Sequence, residues 1–118
     1  MMPIFLNSID LLTKAEAQNL YHKLIEQLHK DFNLANVLIE IPKEITPKEL
    51  REVLHEKIYY LILEKFTEYV NLLYVVDVPE KNVKEITAMD VVDISEQVTF
   101  LILKREMQKV WFKSKYTS

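Results

Sequence analysis

Apolar residues recur at spacings of three and four along most of the chain, which is the period of a helix that turns one face to a core. From Thr13 the positions Ala17, Leu20, Tyr21, Leu24, Ile25, Leu28 and Phe32 form one such stripe, with Glu16, Lys23, Gln27 and Lys30 on the opposite face, and predict a helix reaching about Asn33. A second stripe, Leu54, Ile58, Ile62, Phe66, Tyr69, Leu73 and Val76, predicts one long helix beginning at Thr46. Within it Ile58-Tyr59-Tyr60-Leu61-Ile62-Leu63 is apolar on all sides, the mark of a segment buried at the centre of a fold or of an oligomer. A short helix fits Pro79 to about Thr87. A last one starts near Ile94, carries Val98, Phe100, Leu101, Ile102, Leu103, Met107, Val110, Trp111 and Phe112, and frays after Lys113.

Capping residues sharpen these starts. Thr13/Glu16, Thr46/Glu49, Asp77/Glu80 and Asp93/Glu96 each place a capping side chain three residues before a Glu, so that each can satisfy an orphan backbone N–H of the first turn. Pro47 and Pro79 add proline near two of these starts, where its missing N–H costs nothing. The expected fold is therefore all-α, a bundle of three long helices and one short helix, with residues 1–118 as a single helical domain. One alternative stays open: Val37-Leu38-Ile39-Glu40-Ile41 and Leu73-Tyr74-Val75-Val76-Asp77-Val78 also read as strands. Pairing about 37–41 with 73–78 would make the chain α+β and shorten the second helix.

Composition narrows the chemistry. The chain has no glycine among 118 residues, which argues against phosphate-cradling loops and glycine turns and requires helices to stop on Asn, on Pro or by fraying. An apolar fraction of 49% with 28% charged residues is that of a folded protein. The absence of cysteine excludes disulfides and thiolate chemistry. Met1-Met2-Pro3-Ile4-Phe5-Leu6 has no basic lead and no stretch approaches a membrane span, so cytoplasmic residence is the default expectation.

Two Glu-x-x-His spacings, Glu26/His29 and Glu52/His55, are the sharpest chemical pattern. On facing helices they could supply carboxylate and imidazole to a two-metal centre, with Glu68 and Glu106 completing it. The helical phase opposes this, since Glu26 falls nearly opposite the apolar stripe with His29 at its margin, and Glu52 falls toward the edge of its own. Arg51 and His55 share the face of Ile58 and Ile62, where a hydrogen-bonded core histidine is the plainer expectation than a titrating switch. From Lys104 onward Lys104, Arg105, Lys109, Lys113 and Lys115 face Glu106 alone, interleaved with Trp111, Phe112 and Tyr116. Cations and rings of this kind can meet a polyanion, yet the formal net charge is −3, and the dipole of a helix end also favours cations. No nucleophile elbow, zinc-protease helix or phosphate loop is present in the sequence, so no cofactor is expected and an enzyme is disfavoured.

The stretch Leu72-Leu73-Tyr74-Val75-Val76-Asp77-Val78-Pro79-Glu80, after Ile45-Thr46-Pro47 and a long apolar helix, resembles a pattern of small uncharacterised bacterial helical proteins. The resemblance implies no activity, cofactor or catalytic residue. The leading expectation is thus a non-enzymatic helical interaction or self-association module, whose partner is a second copy or another protein. Its interface candidates are Tyr59, Tyr60, Tyr69, Tyr74, Trp111 and Phe112. The alternatives are the two-metal enzyme and polyanion binding through the C-terminal helix.

Overall fold

In the structure, a computed structural model that describes residues 2–116, the chain forms helices α1 (Ser8–Ala17), α2 (Tyr21–Leu34), α3 (Pro47–Glu64), α4 (Phe66–Val76), α5 (Glu80–Lys84) and α6 (Val91–Tyr116). The all-α expectation holds, and the α+β alternative does not. Residues 37–41 form no strand among the described residues, and Leu73 to Val76 complete α4.

The two long predicted helices are each broken once. The first breaks at Asn19, which takes left-handed backbone at φ 58°, while the Leu20 N–H reaches back to the Ala15 carbonyl at 2.9 Å. Thr13 consequently lies inside α1, whose cap is Asn7: its side chain accepts from the Asp10 N–H at 2.8 Å. The second breaks at Lys65, whose φ of −141° and ψ of 59° leave the helical region. The chain turns there, and α4 packs on α3, α2 and α6 instead of prolonging α3.

Without glycine, Asn and Asp perform the helix stops. Asn36 has φ 58° and Asp77 has φ 71°, a conformation that short polar side chains tolerate better than other non-glycine residues. The N–H groups of both Asp77 and Val78 return to the Leu73 carbonyl, at 2.9 and 3.0 Å. Asp77 therefore ends α4 and does not cap α5, which begins without a side-chain cap. The start of α6 moves similarly from Asp93 to Asp90, whose Oδ1 accepts from the Val92 N–H at 2.7 Å. Thr46 and Glu49 form the predicted reciprocal box, with bonds of 3.2 and 3.1 Å.

Helix α6 is the axis of the fold and touches each of the other five. Its Val98, Ile102, Leu103 and Met107 meet Leu11 and Leu12 of α1, Leu24, Leu28 and Phe32 of α2, Leu50, Leu54 and Ile58 of α3, and Leu72 of α4 in one buried cluster. The Cα radius of gyration, 13.5 Å, equals the value of about 13.5 Å expected for one domain of this length. No helix among the described residues is long and apolar enough to cross a membrane.

Candidate functional site

The two Glu-x-x-His spacings are not brought together. Glu26 and His29 lie on α2, Glu52 and His55 on α3, and these helices make no close backbone approach, so the directly facing pair that a two-metal centre requires is missing. Glu26 and Glu52 are exposed. His29 is only half-buried; it sits at the margin of the α2 stripe, and the separation of α2 from α3 keeps the second Glu-x-x-His pair away from it. The alternative of a two-metal centre on Glu26, His29, Glu52 and His55 is therefore not met by the fold, which leaves the four side chains apart. His55 occupies the seam between α3 and α6, with Nε2 2.8 Å from Ser95 Oγ and 3.0 Å from the Val92 carbonyl. Beside it Arg51 pairs with Glu96. Glu68 lines a groove with Tyr60 and Lys65, and Glu106 lies elsewhere, in the core. Among the described residues no three His, Cys, Asp or Glu side chains converge on a possible metal position. His55 instead serves as a polar tie, with the Ser95 hydroxyl donating to the Val92 carbonyl at 2.8 Å as part of the same cluster.

The C-terminal cations are largely occupied within the fold. Arg105 Nη2 is 3.0 Å from Asp77 Oδ2, and Arg105 Nε also donates to the Asp77 carbonyl. Lys113 donates to Gln27 Oε1 at 2.9 Å. Lys104 lies over the Phe100 ring, 5.7 Å from its centroid, and Lys115 over Trp111 at 4.8 Å. The Arg105 and Lys113 contacts join α6 to the end of α4 and to α2, which is the structural use of a basic stripe that the sequence also offered to a polyanion.

Lys109 enters the most unusual polar group of the molecule. Its Nζ lies 2.6 Å from Asp31 Oδ2 and 3.3 Å from Glu106 Oε1, and Gln27 donates to Asp31 Oδ1 at 3.2 Å. Glu106 is 0% exposed and Asp31 4%. As a carboxylate, Glu106 would have both oxygens buried with only the long Lys109 contact to Oε1 to offset the charge. One cation facing two buried carboxyls also leaves a negative charge in excess, which a proton removes at least cost. Burial, then the neighbouring Asp31, push the Glu106 carboxyl up to about 9 against the opposing pull of Lys109. Burial also works to raise Asp31, but hydrogen bonds from protonated Glu106, Lys109 and Gln27 and the Lys109 charge outweigh it and hold Asp31 below its ordinary value. The pair titrates as one unit, with the proton on the Glu106 side.

The remaining candidate is a surface. Leu63 stands near the end of α3 and Phe66 opens α4, on either side of the Lys65 break. One turn before Leu63 stands Tyr59, and one and two turns after Phe66 stand Val70 and Tyr74. Tyr59 is 37% exposed, Leu63 50%, Phe66 60%, Val70 49% and Tyr74 83%. Together these side chains present roughly 500 Å² of mostly apolar surface, near the upper end of what monomers commonly expose. Tyr60, also half-exposed, stands on the flank beside Leu38. Between Phe66 and Val76 the single charged residue is Glu68, a depletion typical of interface centres.

The expected interface residues divide accordingly. Tyr59, Tyr60 and Tyr74 are exposed on α3 and α4. Tyr69 is buried at 6% and packs in the core, its ring centroid 5.4 Å from that of Phe66, so it has no surface to offer. Trp111 is half-buried and Phe112 exposed, both at the far end of α6. The Ile58–Leu63 segment is correspondingly not covered all round: Ile58 and Leu61 are buried, whereas Tyr59, Tyr60 and Leu63 face outward. Sequence reasoning missed Leu63, Phe66 and Val70. Their signal was the spacing Tyr59, Leu63, Phe66, Val70, Tyr74, a second stripe at helical period beside the core stripe. No family model, curated protein or solved structure matches the chain.

Proposed function

We propose that this chain is a non-enzymatic helical interaction module that works by covering its α3–α4 face with another protein surface. The exposed row Tyr59, Leu63, Phe66, Val70 and Tyr74 carries this reading, because the largest apolar patch on a small protein is often its contact site and covering it removes apolar area from water. The fold supports it as well, since these helices are fixed from behind by buried Leu54, Ile58, Leu61, Tyr69, Leu72 and Val76. A rigid backing lets an interface form with little ordering cost.

Native mass spectrometry of the purified chain tests the reading, alongside the double variant Phe66→Ser/Val70→Ser. The wild type is expected to carry a second polypeptide, of this or another kind, that the variant lacks while keeping its melting temperature within a few degrees. A chain that stays alone in both forms at every concentration contradicts the reading.

A further inference from the structure

We infer that the run of residues 38–41 is an open edge to which an extended peptide segment of another protein adds as a strand, seating a lysine or arginine between Glu40 and Glu56. The site stands apart from the α3–α4 face and does not depend on what covers that face. Residues 37–42 run without helix, turn or bend, and their sequence, Val37-Leu38-Ile39-Glu40-Ile41 before Pro42, is rich in β-formers. Burial alternates along the run: Val37 is 4% exposed and Ile39 and Ile41 are half-buried against the core, whereas Leu38 is 83% exposed and Glu40 is exposed. Alternation of this kind is that of a strand lying flat on the helices. Its backbone groups then point sideways along the surface, those of successive residues toward opposite edges. Among the described residues, the N–H and C=O groups of Leu38, Ile39, Glu40 and Ile41 bond to no other group of the protein. The backbone bonds nearest to them are Val37 N–H to the Phe32 carbonyl at 2.9 Å and Ile45 N–H to the Pro42 carbonyl at 3.2 Å.

The surroundings of the edge set its occupant. Leu38, Ile39 and Glu40 form one wall of a groove of about 490 Å³ whose other wall is Val53, Glu56, Lys57 and Tyr60 of α3. A smaller hollow that shares Leu38, Lys57 and Tyr60 prolongs it toward Lys65. Unpaired backbone donors and acceptors in this arrangement accept a strand and not a helix, which uses its own backbone groups internally. Leu38, Val53 and Tyr60 offer apolar surface to every second side chain of that strand. Glu40 and Glu56 stand on opposite walls, away from the prolongation. Among the described residues neither has an ion-pair partner, and Lys57 lies over the Tyr60 ring, 5.7 Å from its centroid. Two unpaired carboxylates across one groove favour an incoming cation. A second copy pairing through the same run would bring Glu40 and no cation. Pro42, without an N–H, closes the edge and limits it to one short strand.

Selection of the purified chain against a phage-displayed library of short linear random peptides, with synthesis of the enriched ones, tests the proposal. Enriched peptides are expected to alternate apolar β-formers with polar residues and to carry Lys or Arg near one end. Bound, they should slow amide hydrogen exchange at residues 38–41 by roughly tenfold or more. N-methylation of every second peptide amide should weaken binding about tenfold, and N-methylation of the intervening amides should not. Glu40→Lys/Glu56→Lys should weaken binding roughly five-fold, the worth of two exposed ion pairs, with the melting temperature unchanged. A library that yields no binder, or binders that tolerate N-methylation at every position, overturns the added strand. Undiminished binding to the charge-reversed variant overturns the seated cation. Binders that protect only Phe66 to Tyr74 remove this edge and leave the interaction module standing. Exchange at residues 38–41 that slows in the peptide-free chain as its concentration is raised would assign the edge to a second copy and overturn the foreign segment.

Discussion

Replacing Glu106 by Gln keeps the side chain's shape and removes its proton chemistry, and the consequence can be worked from the buried group around Lys109. In the unfolded chain Glu106 ionises at its ordinary value near 4.5, whereas in the fold burial and Asp31 hold its proton until about pH 9. Below pH 4.5 the group is neutral in both states and costs nothing. Between 4.5 and 9 the unfolded chain gains by releasing a proton that the folded chain keeps, so this group lowers stability by about 1.4 kcal/mol per pH unit as pH rises. At neutral pH the accumulated cost is on the order of 3 kcal/mol, a large part of a small domain's stability. Glu106→Gln escapes this cost, and its amide can donate to Asp31 where the carboxylic acid did. Urea unfolding followed by Trp111 fluorescence should therefore show the variant more stable than wild type by roughly 1 to 3 kcal/mol near pH 7. The difference should vanish near pH 4.5 and grow toward pH 9. A variant that is destabilised at neutral pH, with the wild-type pH slope unchanged, would show that Glu106 is ionised and held by Lys109, which refutes the protonated assignment.

Other consequences follow from the same contacts. Lys109→Met leaves Asp31 buried at 4% exposure without its 2.6 Å cation, and a loss of about 3 to 5 kcal/mol in urea unfolding is expected; a loss under about 1 kcal/mol would mean that the contact is not formed in solution. Asp31, Asp10 and Glu49 are all held below their ordinary values, respectively by the Lys109 group against its own burial, by the Leu6 N–H, and by the Thr46 N–H. Each contributes stability present above its unfolded value near 4 and lost as pH falls through the lower folded one, so the melting temperature should drop on acidification below about pH 4. Asn36→Ala forces a Cβ without local hydrogen-bonding capacity into φ 58° and should cost about 1 kcal/mol, whereas Asn36→Gly should cost little or stabilise. Equal losses in the two variants would place the effect in the side chain and not the backbone.

The helical class and most of the core were legible because period and burial coincide in α2 and in the first half of α3: Leu24, Leu28 and Phe32, and Leu54 and Ile58, are each where the stripe put them. The breaks were not legible. Asn19 interrupts an unbroken apolar stripe, its strain offset by Leu20, whose side chain enters the core, and Lys65 breaks a helix with neither glycine nor proline nearby. Tertiary packing overrides local preference at both positions. The second break also explains the misplaced interface residues. Phe66, in phase with Ile58 and Ile62 on a continuous helix, is turned outward once α4 becomes a separate element, while Tyr69, Leu72 and Val76 take the inner side. The acidic partners of Lys109 were equally hidden, since Asp31 and Glu106 are 75 residues apart in sequence and meet through the packing of α2 on α6. The Glu-x-x-His pattern was visible and chemically sensible, but bringing His29 to His55 required α2 and α3 to face each other, and α1, α4 and α6 pack against both of them instead.

Sedimentation equilibrium of the untagged chain, over a range from low to several hundred micromolar, decides whether the α3–α4 face is an interface. The expected weight-average mass rises above the 14.1 kDa monomer, with Val70→Glu remaining at the monomer mass throughout. A wild-type mass that never leaves 14.1 kDa, or a Val70→Glu variant that assembles as readily as wild type, would contradict it.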